Sequence, residues 1–295
     1  MMLLKDLINE GKQTVSGFYP EREAQEMVFV FLEHLLGTRR YTHVLEPERT
    51  VSPSDVACAR SAFSRMGAGE PLQYVTGKAF FYGRDFNVGP DVLIPRPETE
   101  LLCRTAAMQL REAYSCNGAS RALDLCTGSG CIAWTLALEC PGAEVVAADI
   151  SEAALSVASS QDFSAEMSAS GAVAPHFIAA DVLAGPLCSH GMFDVIVSNP
   201  PYVLDREKSV MRDNVLAHEP HLALFVPDED PLVFFRAVAL WAGALLRPGG
   251  FGMVEINESL GQETADVFMN AGFGDVSVEK DLNGRDRFVK FIRIL

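Results

Sequence analysis

The spacing of apolar residues predicts helices in the first quarter of the chain. In PEREAQEMVFVFLEHLLG, the apolar positions that recur every three or four residues are Ala24, Met27, Val28, Phe31, Leu32 and Leu35. This spacing is typical of one buried helix face; Pro20 suits the first turn of the helix and Gly37 its end. Ser52 followed by Pro53 predicts the capped start of another helix. Because short amphipathic helices stabilise one another, residues 1–75 are expected to form a small N-terminal helical bundle.

The pattern changes at Phe80. FFYGRDFNVGPDVLI alternates aromatic and β-branched residues with glycine, which predicts a β-hairpin, and we assign residues 76–96 to a hairpin linker that joins two domains. From residue 97 to 295, apolar strand patterns alternate with helical ones. The strand candidates are ALDL, EVVAADI, HFIAAD, FDVIVSN, GFGMVEI and FVKFIRI. The helix candidates lie around residues 98–113, 131–139, 152–159, 231–245 and 259–271, and the small-residue segment 159–174 is expected to be a helix tail and loop. Such alternation predicts an α/β domain with a doubly wound, mostly parallel sheet.

Charge and cysteine usage narrow the functional class. The formal charge is −15, and residues 1–88 hold 10 Lys and Arg against 11 Asp and Glu, so residues 89–295 carry −14 of it. A nucleic-acid groove normally has a basic surface, so direct nucleic-acid binding is not expected. The seven cysteines form no CxxC pair, which disfavours zinc and disulfides and favours a reducing, cytoplasmic location. The longest apolar run has ten residues, half of what a membrane span needs, so no membrane association is expected, and a monomer is the default.

A glycine-rich turn between a predicted strand and helix is the first candidate ligand site. In ALDLCTGSGCIA, Gly128 and Gly130 allow a tight turn and let a ligand approach main-chain N–H groups. Nineteen residues after Gly130, Asp149 ends the next strand, where a carboxylate can accept hydrogen bonds from both hydroxyls of a ribose. A structural turn with a solvated aspartate is the alternative. The third glycine of a dinucleotide fingerprint is absent, which favours a nucleoside without pyrophosphate, such as S-adenosylmethionine. Asp181 and Val182, after a third strand, could contact the edge and face of its adenine.

The segment NPPY (Asn199 to Tyr202) ends a fourth strand, where ligands bind in doubly wound sheets. Proline fixes its own φ and keeps the preceding residue extended, so the segment is expected to be stiff. The Asn199 side-chain oxygen and the Pro200 carbonyl could accept the two hydrogens of a planar –NH2 group while the Tyr202 ring stacks on its face. Acceptors aimed at these hydrogens would stabilise the positive charge that develops on nitrogen during methyl transfer. A rigid Pro-Pro turn is the structural alternative.

These motifs together resemble the protein-glutamine methyltransferases of the PrmC/HemK family. The resemblance runs from about Glu70 to the C-terminus through EPLQYVTGKAFFYGRDFNV, VLIPRPETE, DLCTGSGCIA, ADIS, FDVIVSNPPYV and KDLNGRDRFV. IPRPETE is the discriminating motif, because methyltransferases that act on exocyclic amines of nucleic-acid bases also carry NPPY. The resemblance implies a seven-stranded, Rossmann-like class I methyltransferase fold. It also implies methyl transfer from S-adenosylmethionine, without a metal, to the glutamine of the Gly-Gly-Gln motif in peptide chain release factors.

The resemblance also implies residue roles. The residues expected to bind the cofactor are Cys126, Thr127, Gly128, Ser129, Gly130, Asp149, Asp181, Val182 and Asn199. The residues expected to bind the glutamine amide are Asn199, Pro200, Pro201 and Tyr202, with Asn199, Pro200 and Tyr202 as the catalytic set. Residues 95–99 would cover the cofactor, and the helical bundle would help to recognise the release factor.

The sequence departs from the family pattern at two positions, and two other functions compete with the one that the resemblance implies. Cys126 stands where many relatives carry glycine, and its Cβ predicts an ordinary φ and a slightly narrower loop. Val182 stands where an aromatic residue can occur, which predicts weaker stacking on adenine. A nucleic-acid base methyltransferase is the first competing function, but it should carry a basic groove. A non-catalytic binding protein on the same fold is the second, and it is disfavoured because the glycine loop, Asp149 and Asn199 are intact.

Overall fold

The computed structural model describes residues 1–294. The helices within these residues are α1 (Leu4–Val15), α2 (Glu21–Leu36), α3 (Thr42–Leu45), α4 (Pro53–Gly67), α5 (Leu72–Thr76), α6 (Thr99–Asn117), α7 (Cys131–Glu139), α8 (Glu152–Ser159), α9 (Ser164–Ser170), α10 (Asp213–His218), α11 (Val233–Leu245) and α12 (Gly261–Asn270). The strands are β1 (Met2–Leu3), β2 (Thr50–Val51), β3 (Lys78–Phe81), β4 (Arg84–Asn87), β5 (Ser120–Leu125), β6 (Ala143–Asp149), β7 (His176–Ala179), β8 (Phe193–Ser198), β9 (Val203–Leu204), β10 (Phe225–Val226), β11 (Leu246–Glu255), β12 (Gly274–Lys280) and β13 (Asp286–Ile292). Among residues 1–294, no helix is both long and apolar enough to cross a membrane.

The chain divides into two compact units. The first comprises Met1–Lys78 with Met211–Glu219, and the second comprises Ala79–Val210 with Pro220–Leu295. In the first unit, α1, α2 and α4 pack around a core of their own. Gly37 ends α2 with a left-handed φ of 62°, and Ser52 caps α4 by accepting a hydrogen bond from the Asp55 N–H at 3.1 Å. The predictions that Gly37 ends one helix and that Ser52 caps the start of another are confirmed. Pro20 was predicted in the first turn of α2, but it is the N-cap and lies just before that turn.

A seven-stranded sheet forms the centre of the second unit, with the order β12-β13-β11-β8-β5-β6-β7. β13 is antiparallel to both its neighbours, and the other pairs are parallel, so the predicted doubly wound, mostly parallel fold is confirmed. Successive residues of the central strands are buried on opposite faces because side chains alternate along a strand. The hairpin of β3 and β4 inserts the buried rings of Phe81 and Phe86 into the core on one face.

Several elements differ from the sequence-based expectation, among them β12 and α9. β12 was not predicted, because its sequence GDVSVEK has no continuous apolar run like those of the other strand candidates. Its polar and apolar residues alternate, which fits an edge strand that is only partly buried. The segment 159–174 contains a separate short helix, α9, which Gly171 ends with a left-handed φ of 76°.

The order of the strands places β5 between β6 and β8, so the chain winds in opposite directions from β5. In doubly wound sheets, ligands bind beyond the carboxyl ends of the strands at this reversal.

Candidate active site

The carboxyl ends of four adjacent strands bring the candidate residues together. The last residues paired across these parallel strands lie in one row: Val254, Ser198, Leu125 and Ala148. The residues that follow them are Glu255, Asn199, Cys126 and Asp149. Parallel pairing therefore aligns, along one sheet edge, side chains that are separated by up to about 130 residues in the sequence.

A cavity of about 330 Å³ opens at this edge. Its volume lies in the range of small-molecule sites in proteins. The sequence-predicted residues that line it are Cys126, Thr127, Gly128, Ser129, Asp149, Asp181, Val182, Asn199 and Pro201. Pro95, Arg96 and Thr99 of the predicted covering segment also line it. Gly130, Pro200 and Tyr202 are outside this lining, so the structure brings together most of the predicted set but not all of it.

The loop requires glycine at positions 128 and 130 for two different structural reasons. Gly128 has a φ of +54°, and a Cβ added there would meet no protein atom within 4 Å, so the backbone is open to a ligand on that side. Gly130 has a φ of +78°, and a Cβ added there would lie 2.9 Å from the Ala158 Cβ. Gly130 therefore allows α7 to begin close to α8, and it contributes to the packing beneath the cavity.

The backbone at Cys126 corrects a sequence-based expectation. Its φ is +62°, in the left-handed region, whereas the presence of a Cβ predicted an ordinary value. This conformation costs a non-glycine residue about 1–2 kcal/mol. The surrounding hydrogen bonds hold it: the Thr127 N–H donates to the Ala148 carbonyl at 3.1 Å, and the Ser198 hydroxyl donates to the Leu125 carbonyl at 2.7 Å. Cys126 thus keeps the loop path that a glycine would adopt without strain.

Asp149 connects the glycine loop to the start of α8. Its Oδ2 accepts from the Gly128 N–H at 2.8 Å, and its Oδ1 accepts from the Ser151 N–H at 2.9 Å. Burial raises the pKa of Asp149, while these N–H donors oppose the rise. Each carboxylate oxygen has two lone pairs, so both can accept a further hydrogen bond from a ligand hydroxyl in the cavity.

Asp124 is a buried acid at this edge that was not among the predicted site residues. It is fully buried at the end of β5, and its Oδ2 accepts from the Thr127 hydroxyl at 2.6 Å. Among residues 1–294, no hydrogen-bond donor meets its Oδ1. Burial, reinforced by the charge of Asp149, raises the pKa of Asp124 to about 7. The sequence signal for it was a carboxylate between two leucines near the end of the strand candidate ALDL.

We expect Asp124→Asn to flatten the pH dependence of stability. In the wild type, the unfolded chain loses the Asp124 proton near pH 4, but the folded protein keeps it up to about pH 7, so stability falls as the pH rises between these values. At about 1.4 kcal/mol per pKa unit, this group alone removes about 3 kcal/mol between pH 5 and pH 8. Urea denaturation should show the free energy of unfolding of the wild type falling by that amount relative to Asp124→Asn.

The exposed Asp85 supplies the matched control for this measurement. Asp85→Asn should follow the wild type across the same pH range. A constant difference between the wild type and Asp124→Asn at all pH values would show that Asp124 is ionised in the folded protein.

Asp181 and Val182 lie at another wall of the cavity. The Asp181 Oδ1 accepts from the Leu183 N–H at 2.9 Å, so Asp181 caps a short 3-10 turn and faces the cavity as well. The Val182 carbonyl accepts from the Trp241 indole N–H at 2.9 Å. Trp241 and Phe234, both from α11, also line the cavity. Neither aromatic residue was predicted to line a site, because helical spacing alone identifies α11 as a core helix.

The segment from Asn199 to Tyr202 is connected to a buried carboxylate. The Tyr202 hydroxyl donates to the Glu255 Oε1 at 2.8 Å, and the Thr99 hydroxyl donates to the Glu255 Oε2 at 2.6 Å. The Asn199 Nδ2 lies 3.4 Å from the Thr99 Oγ1, a long hydrogen bond. Glu255 is 1% exposed, and burial raises its pKa. Burial and the charge of Glu255 raise the pKa of Tyr202 well above its usual value, so its hydroxyl stays a donor.

Glu255 was not among the site residues predicted from the sequence. The available signal was the same as for Asp149, a carboxylate at the carboxyl end of an apolar strand. No group of three or more His, Cys, Asp and Glu side chains in the described part of the chain is arranged to hold a metal ion.

Known protein families match both parts of the chain. Residues 6–77 match the family described as PrmC N-terminal domain, and residues 100–222 match the family described as Methyltransferase small domain. A release factor glutamine methyltransferase of Bacteroides thetaiotaomicron is 38% identical over 280 residues, covering 94% of this chain and 96% of that protein. The protein of the same name from Bordetella pertussis is 36% identical over 289 residues, covering 97% and 98%.

Solved structures also resemble the chain. One is a release factor-specific protein-(glutamine-N5) methyltransferase from Alicyclobacillus acidocaldarius, 29% identical, with a TM-score of 0.41 over 71% of this chain and 100% of that one. Another is the catalytic domain of human Mettl16 in complex with an RNA hairpin, 12% identical, with a TM-score of 0.50 over 84% of this chain and 85% of that one. At that identity, the second match concerns the fold alone.

Proposed function

This chain belongs to the release factor glutamine methyltransferases, and we propose that it transfers a methyl group from S-adenosylmethionine to the side-chain amide nitrogen of the glutamine in the Gly-Gly-Gln motif of peptide chain release factors. One observation carries this proposal. Asp149 and Asn199 follow strands on either side of β5, and both line the same cavity. A residue suited to a ribose and a residue suited to an amide thus face one space.

The cavity fits S-adenosylmethionine by its chemistry. The Asp149 carboxylate retains lone pairs for ribose hydroxyls, and the open backbone at Gly128 leaves room for the amino-acid part of the molecule. Val182, Phe234 and Trp241 provide the apolar wall that an adenine requires. The bound cofactor supplies an electrophilic methyl group on a sulfonium centre. We assign cofactor binding to the lining residues Cys126 to Ser129, Asp149, Asp181, Val182 and Asn199, with Gly130 supporting the loop from below.

Asn199 and Pro200 act on the glutamine amide in this proposal. An amide nitrogen is a weak nucleophile, because its lone pair is delocalised into the carbonyl group. The Asn199 Oδ1 and the Pro200 carbonyl accept hydrogen bonds from the two amide hydrogens, which orients the nitrogen and stabilises the positive charge that develops on it. After methyl transfer, the methylated nitrogen can release its extra proton to water. The reaction therefore needs no strong base beside Asn199 and Pro200.

Tyr202 has a more constrained role than a free stacking ring. Its hydroxyl is bound to Glu255, and the Asn257 side chain donates to its backbone carbonyl at 3.2 Å. The ring therefore occupies one position, against which the glutamine amide can pack together with Pro201. We assign substrate binding to Asn199, Pro200, Pro201 and Tyr202.

The first unit is the part that we propose to recognise the release factor. Support comes from its match to the PrmC N-terminal domain and from apolar side chains that it leaves in solvent. Tyr41, Val44 and Leu45 are 64%, 64% and 80% exposed around α3. Clusters of exposed apolar residues often mark protein-binding surfaces. The cytoplasmic location expected from the cysteines stays a prediction.

Methyl-labelled S-adenosylmethionine tests the proposal directly. Incubation of the protein with a release factor should place the label on the Gly-Gly-Gln glutamine, located by peptide mass spectrometry. A factor in which that glutamine is replaced by glutamate should take up no label. Label on DNA or ribosomal RNA, with none on the release factor, would assign the site to a nucleic-acid base instead.

A further inference from the structure

We infer that Thr99 and Glu255 position Asn199 so that its amide oxygen, and not its amide nitrogen, faces the substrate. This inference rests on the proposed function for the identity of the substrate amide. Thr99 is the first residue of α6, and Glu255 is the last residue of β11. The two residues are 156 positions apart in the sequence. Both are almost fully buried, at 2% and 1% exposed.

The direction of each hydrogen bond determines the next. An ionised carboxylate only accepts hydrogen bonds, and Glu255 receives the hydroxyl protons of Thr99 and Tyr202 on its two oxygens. A threonine hydroxyl has one proton, so Thr99 can only accept a hydrogen bond from its other neighbour. That neighbour is Asn199, whose Nδ2 donates to it. By accepting the Thr99 proton, Glu255 therefore determines that the NH2 end of the Asn199 amide faces Thr99.

The fixed orientation leaves Asn199 Oδ1 available. Among residues 1–294, no protein donor is hydrogen-bonded to this oxygen, and Asn199 lines the cavity. An unrestrained asparagine could present either its oxygen or its NH2 group to a ligand. Only the oxygen can accept a hydrogen from a glutamine amide, whereas an exposed NH2 group would pair with a glutamate carboxylate. The network therefore favours substrates with an N–H donor.

Glu255 acts on both ends of the segment Asn199 to Tyr202. It accepts the Tyr202 hydroxyl proton directly, and it reaches Asn199 through Thr99. Thr99 and Glu255 are positioning residues, because they act on the substrate through Asn199 and Tyr202.

The first test observes the Asn199 amide without any substrate. Its side-chain NH2 signals in a ¹⁵N-labelled NMR spectrum are assigned by their loss in Asn199→Ala. Thr99→Val keeps the size of the side chain but removes the hydroxyl, so these signals should move towards those of an unbound amide. Thr99→Ser keeps the hydroxyl and should restore them. Thr105→Val makes the same chemical change on the same helix and should leave the signals unchanged. Within residues 1–294, the Thr105 hydroxyl bonds only to the Leu101 carbonyl.

The second test measures methyl transfer by the same variants. Thr99→Val should lower kcat about tenfold, the value of one orienting hydrogen bond, with the Kd for S-adenosylmethionine within about threefold of the wild type. Thr99→Ser should recover most of kcat, and Thr105→Val should match the wild type. Glu255→Gln has one oxygen for two hydroxyl donors, and its kcat should fall at least as far as that of Thr99→Val.

The two tests separate the failure of this inference from the failure of the proposed function. Unchanged Asn199 signals in Thr99→Val would overturn the inference, and so would shifted signals with kcat within twofold of the wild type. If the wild type does not modify the release factor, the proposed function fails, and the NMR comparison still decides whether Thr99 orients Asn199.

Discussion

Asn199→Ala is expected to lower kcat for methylation of the release factor about 10³-fold while the protein still folds and binds S-adenosylmethionine. Truncation removes the side-chain acceptor that aligns the glutamine nitrogen and stabilises its developing charge. Loss of one preorganised group of this kind lowers kcat by about 10²–10³-fold in other enzymes. The upper end applies here because orientation and charge stabilisation are lost together.

Three measurements define this prediction. Single-turnover kinetics with labelled cofactor give the rate of methyl transfer, calorimetry gives the cofactor Kd, and thermal denaturation gives the stability. The cofactor Kd should change less than about fivefold, because Asn199 is one of many residues that line the cavity. Asn270→Ala, an exposed asparagine at the end of α12, is the matched control and should behave as the wild type. A folded Asn199→Ala protein with more than a tenth of the wild-type rate would contradict the role given to this amide.

The effects of Asn199→Ala and Thr99→Val should differ in size for a physical reason. Thr99→Val leaves the Asn199 amide in place but free to turn, so part of the population still presents its oxygen. Asn199→Ala leaves no side-chain amide in any orientation. The larger loss belongs to the residue that contacts the substrate, and the smaller loss to the residue that positions it.

Two of the candidate ligand-binding residues were predicted because a polar residue stands at the end of an apolar strand. Asp149 and Asn199 were found in this way, and the reversal of strand order at β5 brings them to one cavity. Glu255 shows the same signal at the end of β11, yet its importance depends on Thr99, which is distant in sequence. Hydrogen bonds between such distant residues depend on the packing of α6 against the sheet, which local patterns do not encode.

The backbone of the glycine loop shows a different limit of sequence reasoning. The presence of a Cβ predicted an ordinary φ at Cys126, but the flanking hydrogen bonds of β5 and β8 impose a left-handed one. Local preference is weaker than the tertiary contacts at this position. The reverse holds at Gly37, where the local preference of glycine and the observed helix end agree.

Asp149→Asn is expected to raise the Kd for S-adenosylmethionine about 100-fold. The carboxylate accepts from the Gly128 and Ser151 N–H groups, one on each oxygen, and an amide can accept from only one of them. The amide NH2 group would face the other N–H, so the loop and the ribose site are both disturbed. Hydrogen bonds to a charged group contribute about 1.5–3 kcal/mol each, and about 1.4 kcal/mol corresponds to a tenfold change in Kd. Calorimetry measures this change, and Glu152→Gln, on the exposed first turn of α8, is the matched control.

A cofactor analogue separates a direct contact from a purely structural effect of Asp149. If the Asp149 carboxylate accepts from ribose hydroxyls, the wild type should bind S-adenosylhomocysteine at least tenfold more tightly than its 2′-deoxy analogue. Asp149→Asn should lose most of this preference, because the charged acceptor for the hydroxyl is gone. A residue that only held the loop would weaken both ligands equally and leave the ratio unchanged. An unchanged ratio would therefore assign Asp149 to the loop alone, whereas a reduced ratio would place its carboxylate on the ribose.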